Sequence, residues 1–218
     1  ALMAHSRGLG VPVVLDAKRG DIGSTAEAYA AAYLTDGAFA ADALTVNPFL
    51  GLDTLEPFLA AAEAGGRGLF VLVRTSNPGS AALQEAELAS GEALYQRLAD
   101  ALAERSRALA AGPGGYTVLG AVAGATAPAA LAELRRRLPR SLLLVPGYGA
   151  QGGSADDVAA AFDAAGRGAV VNASRSLTYG AGALGARTFA EVGAAARAAT
   201  LRMRDDLAAA LQRRAASA

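Results

Sequence analysis

Residues 11–30 read VPVVLDAKRGDIGSTAEAYA. The stretch opens on an apolar, β-branched run, breaks at Gly20 and continues into an Ala-rich segment of high helix propensity. It reads as a strand, a loop and a helix. Side chains alternate along a strand, so Val14, Asp16 and Lys18 share one face while Val13 and Leu15 take the other. Two opposite charges therefore project side by side near the C-terminal end of an otherwise apolar strand. Ser24 and Glu27 have the spacing of a capping box, which predicts the helix start there.

The same unit repeats along the chain. Apolar runs at 11–18, 43–47, 68–75, 116–123, 141–146 and 168–173 alternate with Ala-rich stretches at 25–37, 54–64, 91–111, 127–138, 155–165 and 187–214. Strand–helix repetition argues for a parallel sheet with helices packed on it. The near-continuous apolar character of the runs fits strands covered on both faces. No low-complexity linker interrupts the 218 residues, so a single domain over 1–218 is expected.

Composition narrows the function. A formal net charge of zero excludes a strongly basic nucleic-acid binder or a polybasic membrane anchor. The absence of Cys excludes disulfide scaffolds, thiolate metal sites and a cysteine nucleophile. One histidine, His5, argues against a His-rich metal site or a His-based triad, and its polar context reads as exposed and without a role. The longest uncharged stretch, 108–132, is broken by glycines and prolines, which suits a buried strand between loops and not a spanning helix. The first residues carry no basic segment followed by an apolar core, so a signal peptide is not expected. These readings predict a cytoplasmic chain with neither membrane nor nucleic acid as a partner.

Three groups of residues carry chemistry. The first is Asp16, Lys18 and Asp21. In β/α proteins the C-terminal ends of strands hold the active site. A carboxylate ~4 Å from an ammonium is worth about 4 kcal/mol at an effective dielectric of 20, which keeps Lys18 protonated. A protonated lysine in that setting is a poised general acid, not a Schiff-base nucleophile. A plain ion pair closing the sheet's mouth accounts for the same residues. The second group is the Gly-rich run SLLLVPGYGAQGGSADDV, in which Gly147, Gly149 and Gly152 match G-x-G-x-x-G. A dinucleotide site also needs an acid at the end of the next strand, but GAVVNAS offers Asn172 and Ser174. The better reading is an anion cradle of backbone N–H groups at a helix start, with Arg175 able to grip a phosphate; a surface salt bridge is the alternative for Arg175. The third group lies on TVNPFLG and RTSNPGS, giving Asn47 and Ser76, where turns alone would explain the Asn-Pro and Pro-Gly pairs.

Taken in order, LDAKRGDIGST, TVNPFLG, RTSNPGS, VPGYGAQGG and NASRS resemble the orotidine 5'-phosphate decarboxylases, specifically the subgroup with longer bacterial chains. D-x-K-x-x-D alone is shared with related sugar-phosphate decarboxylases and aldolases; its combination with TSNPGS and PGYGAQGG is far more specific. The resemblance implies a TIM (β/α)8 barrel, with about six of the eight strands present in this chain. It implies cofactor-free and metal-free conversion of orotidine 5'-monophosphate to UMP and carbon dioxide. Asp16 would face the substrate carboxylate and Lys18 would protonate the ring carbon. Asp21, assisted by Thr25, would reach the ribose of a neighbouring subunit's site, which implies a homodimer. Asn47 and Ser76 would contact substrate, Ser76 at the pyrimidine. Gln151, Gly152 and Arg175 would hold the phosphate. The family also takes an Asp and a Lys from the ends of its first two strands, and neither has a counterpart upstream of Val11. The chain is therefore expected to be N-terminally incomplete, with little or no activity in this form. Two other readings stay open: a Mg²⁺-dependent phosphosugar enzyme of the same superfamily, and a non-catalytic phosphate-binding remnant.

Overall fold

The computed structural model describes residues 2–149, 151–180 and 184–217. Each predicted apolar run contains a strand: β1 (Val14–Arg19), β2 (Ala43–Val46), β3 (Gly68–Arg74), β4 (Leu119–Ala123), β5 (Leu143–Pro146) and β6 (Ala169–Asn172). They pair in chain order, and every pair is parallel. The sheet curls into half of a barrel, and among the described residues β1 and β6 are its two ends.

α1 (Leu2–Gly8) precedes β1; between the strands run α2 (Gly23–Leu34), α3 (Glu56–Gly65), α4 (Ser80–Gln84), α5 (Leu94–Arg107), α6 (Pro128–Arg137) and α7 (Ala155–Ala159); α8 (Arg175–Thr178) and α9 (Phe189–Ala216) follow β6. Two expectations about these helices need correction. The box expected from Ser24 and Glu27 does not form: Ile22 is the N-cap of α2, without a side-chain bond. Asp21 Oδ1 accepts the Ile22 N–H at 2.8 Å, and Gly23, at φ +52°, turns the chain into the helix before Ser24 is reached. A capping box does form at the start of α7, between Ser154 and Asp157. The helix expected over 155–165 ends at Ala159. Asp163 Oδ1 accepts the N–H groups of Ala165 and Arg167 at 2.9 and 2.8 Å, a local alternative that competes with helical bonding.

Strand alternation sorts the core into two layers. Leu15, Leu44, Leu69, Val71, Leu119 and Leu143 face the helices and join Phe58, Leu59, Leu131 and Leu134 in the main core. Ala43, Phe70, Val122 and Leu144 face the concave side and form a smaller cluster with Leu72 and Leu142. The concave wall is thus apolar until it reaches the C-terminal ends of the strands. At the opposite ends, the buried Arg135 donates to the carbonyls of Leu138, Ser141 and Gly168, closing the floor of the half-barrel. No described helix is long and apolar enough to cross a membrane.

Candidate active site

The C-terminal rim opens into a cavity of about 480 Å³. Its wall includes Asp16 and Lys18 from β1, Ser76 from the loop after β3, Gln151 from the loop after β5, and Arg175 after β6. Residues separated by up to 159 positions in the sequence therefore meet at one opening. Four other expected site residues lie off this wall. Asn47 borders a separate, largely apolar pocket and its Oδ1 accepts the Phe49 N–H at 3.0 Å. Asp21 and Thr25 sit at the start of α2, Thr25 exposed. Gly152 donates its N–H to Gly149 O at 2.8 Å.

The charged pair has the geometry that alternation predicts. Lys18 Nζ donates to Asp16 Oδ1 at 2.6 Å. Both side chains are about half exposed, so the pair faces the cavity and not the core. The backbone that presents them is irregular. Leu15 pairs with Leu44 and Arg19 with Val46, so Asp16, Ala17 and Lys18 all oppose the single residue Thr45. Lys18 has φ +49°, the one left-handed non-glycine among the described residues. A bulge of this kind re-aims a side chain at the end of a strand.

Sequence reading missed two supports of this rim. Thr45 is fully buried; its hydroxyl accepts the Lys18 N–H at 2.9 Å and donates to Asp16 Oδ1 at 3.0 Å. Arg74, also buried, bonds Glu85 and the Ser80 hydroxyl and donates to the carbonyl of Thr75, which fixes the base of the loop carrying Ser76. Both lay inside the quoted runs TVNPFLG and RTSNPGS. Alternation from Ala43 already puts Thr45 on the concave face, and that was the available signal. Lys18 is the only lysine in the sequence, against 19 arginines.

The Gly-rich loop is partly closed on itself. Its amides at Gly149, Gly152 and Gly153 all bond within the loop, and α7 is already capped by Ser154 and Asp157. Gly147, at φ +103°, lets the loop pass close to Ser76: a Cβ there would lie 3.0 Å from the Ser76 Cβ and from Gln151 Oε1. The loop is pinned from outside by Tyr148, whose hydroxyl donates to Asp206 of α9 at 3.2 Å. Burial and the Asp206 charge push the Tyr148 phenol up from its ordinary value. Cationic character at this end of the cavity comes from the exposed Arg175.

A family model described as orotidine 5'-phosphate decarboxylase / HUMPS family matches residues 1–185. The orotidine 5'-phosphate decarboxylase of Rhodopirellula baltica is 49% identical over 183 residues, covering 82% of this chain and 60% of that protein. Its counterpart in Deinococcus radiodurans is 49% identical over 208 residues, covering 95% of this chain and 71% of that protein. The solved structure of Leishmania donovani OMP decarboxylase superposes with a TM-score of 0.69 at 35% identity, covering 91% of this chain and 69% of that one. The chain thus spans between 60% and 71% of the length of these relatives.

Proposed function

The chain belongs to the orotidine 5'-phosphate decarboxylase / HUMPS family, and from that membership and the rim geometry we propose that its site decarboxylates orotidine 5'-monophosphate to UMP. The observation that carries the proposal is the Lys18–Asp16 pair, 2.6 Å apart, on a wall shared with Ser76, Gln151 and Arg175.

In this reading the base lies in the mouth of the half-barrel, against Ser76. The phosphate lies toward Gln151 and Arg175, the end of the cavity that carries a guanidinium. Gly152 contributes through loop shape. The substrate carboxylate faces Asp16. The bond between the ring carbon and the carboxylate breaks, carbon dioxide leaves, and the electron pair remains on the ring carbon. Lys18 Nζ delivers a proton to that carbon, and water restores the ammonium. Preorganised charge beside the developing carbanion is the source of rate enhancement, since those groups need no reorganisation as the charge appears. Binding energy from the phosphate, remote from the reacting bond, serves the same transition state.

A homodimer belongs to the same proposal. Asp21 and Thr25 lie off their own chain's cavity, at the start of α2, a position suited to completing a neighbour's site. The magnesium-dependent alternative draws less support: Asp16 Oδ1 is engaged by Lys18 and Thr45, and Asp21 does not share the cavity.

The test is decarboxylation of orotidine 5'-monophosphate by the purified chain, followed as loss of ultraviolet absorbance, with Lys18→Ala in parallel. Turnover that disappears in Lys18→Ala bears the proposal out. A folded chain that binds UMP without turnover is instead the phosphate-binding remnant. A folded chain that does neither overturns the proposal for this chain.

A further inference from the structure

We propose that Thr45 is a positioning residue for the Lys18–Asp16 pair, acting from the adjacent strand through one hydroxyl; the catalytic side of this inference rests on the reading of that pair as the reacting centre. The observations converge on a single oxygen. Thr45 Oγ1 accepts the Lys18 backbone N–H at 2.9 Å and lies 3.0 Å from Asp16 Oδ1, the same oxygen that receives Lys18 Nζ at 2.6 Å. A hydroxyl has one proton to give and lone pairs to accept, so both bonds are satisfied at once. The alternative acceptor, Leu15 O, is at 3.5 Å.

The hydroxyl sits where the ladder between β1 and β2 fails. Three residues of β1 oppose Thr45 alone, and the Lys18 N–H finds a side chain in place of a strand carbonyl. A left-handed lysine needs such a hold, because its Cβ makes that backbone region unfavourable. Thr45 therefore fixes two things together: the conformation that turns the Lys18 side chain along the rim, and the rotation of the carboxylate that meets it. Its full burial leaves water no place to substitute for the hydroxyl. Nothing in this arrangement requires Thr45 to touch a substrate.

Because Lys18 is the only lysine, labelling with ¹⁵N-lysine gives one backbone amide signal, and it reports this bond directly. In the unsubstituted chain that amide is expected to exchange at least about tenfold more slowly than an unprotected one. Thr45→Val keeps the shape and removes the hydroxyl, so exchange should accelerate by about tenfold or more, while Thr45→Ser should stay within about threefold. An amide unprotected in the unsubstituted chain overturns the inference without any variant, and so does unchanged protection in Thr45→Val. Turnover supplies the second readout. Thr45→Val should lower kcat by about thirtyfold with KM within about threefold, and Thr45→Ser should restore most of it. A rise in KM alone, or no rescue by serine, counts against positioning. Absence of turnover in the unsubstituted chain is a failure of the decarboxylase reading, and the amide measurement then decides on Thr45 by itself.

Discussion

At the scale of single residues, Lys18, the proton donor of the proposed reaction, stands on costly backbone. A left-handed conformation costs a non-glycine residue roughly 1–2 kcal/mol. The Lys18–Asp16 ion pair is half exposed and returns only about 0–1 kcal/mol. The ion pair alone therefore does not offset the cost of this conformation, and the bonds from the Thr45 hydroxyl hold it as well. Asparagine tolerates the left-handed region better than lysine. Lys18→Asn is accordingly expected to leave the free energy of unfolding unchanged or raise it by up to about 1 kcal/mol, while abolishing turnover. Urea titration of both proteins checks this; a loss of stability exceeding about 1 kcal/mol would show that the pair, not the strain, dominates. The pairing of Asp16 with Lys18 was legible in the sequence because it follows from strand alternation. The sign of φ at Lys18 was not, because it depends on a hydroxyl 27 residues away on the next strand.

At the scale of elements, the rim is a set of loops that touch through their backbones. The turn after β4 makes one such contact with the loop after β3. A Cβ on Gly124 would lie 2.8 Å from Ser76 N and 2.9 Å from Ser76 Cα and Thr75 C. Those are backbone atoms, so no side chain can rotate away, and the Ser76 loop itself must move. Arg74 opposes that movement, since it bonds Thr75 O, Ser80 and Glu85 at the base of the same loop. Gly124→Ala is expected to cost about 1–3 kcal/mol of stability, in the range of overpacked interiors. It should also raise KM by about fivefold or more as Ser76 leaves the wall. Unaltered steady-state constants in a folded variant would remove Ser76 from the substrate's surroundings. Strands were easier to read than helices for a physical reason. The inner strands β2 to β5 are short apolar runs buried on both faces, so composition marks them, while β1 and β6 alternate between exposed and half-buried residues. Helix ends depend on local competition, as where Asp163 captures two amides beyond α7, or where Asp21 and Gly23 start α2 ahead of Ser24. The loop contacts that assemble the cavity lay outside any local pattern, and the shared order of motifs supplied them instead.

For the molecule as a whole, acid sensitivity should reside outside the cavity. Three carboxylates are held below their ordinary range, one between two helices, one in the loop after α7 and one at the start of α7, and none of them lines the cavity. Bonds from Gln96 and Tyr95 of α5 and Arg137 of α6 lower Glu133. The Tyr116 hydroxyl and the amides of Arg167 and Ala165 lower Asp163. The Ser154 hydroxyl and N–H lower Asp157 at the start of α7. A carboxyl whose pKa is depressed in the folded chain adds stability that is present above its unfolded value of about 4 and is lost as pH falls through the folded one. The phenols of Tyr95, Tyr116 and Tyr148 are raised, each first by burial, so their contribution is complete below about pH 10 and disappears as pH rises through the folded value. Resistance to urea should therefore be flat between about pH 5 and pH 9 and decline on both sides. Glu133 joins α5 to α6, with Arg137 also bonded to Asp100 across the same seam. Glu133→Gln should therefore lower stability at neutral pH and flatten the acid decline, with the alkaline side moved only through Tyr95. An acid decline of unchanged depth in Glu133→Gln would place the sensitivity elsewhere in the chain. Glu133 lies outside the cavity wall, so KM in this variant should match that of the unsubstituted chain wherever both are folded.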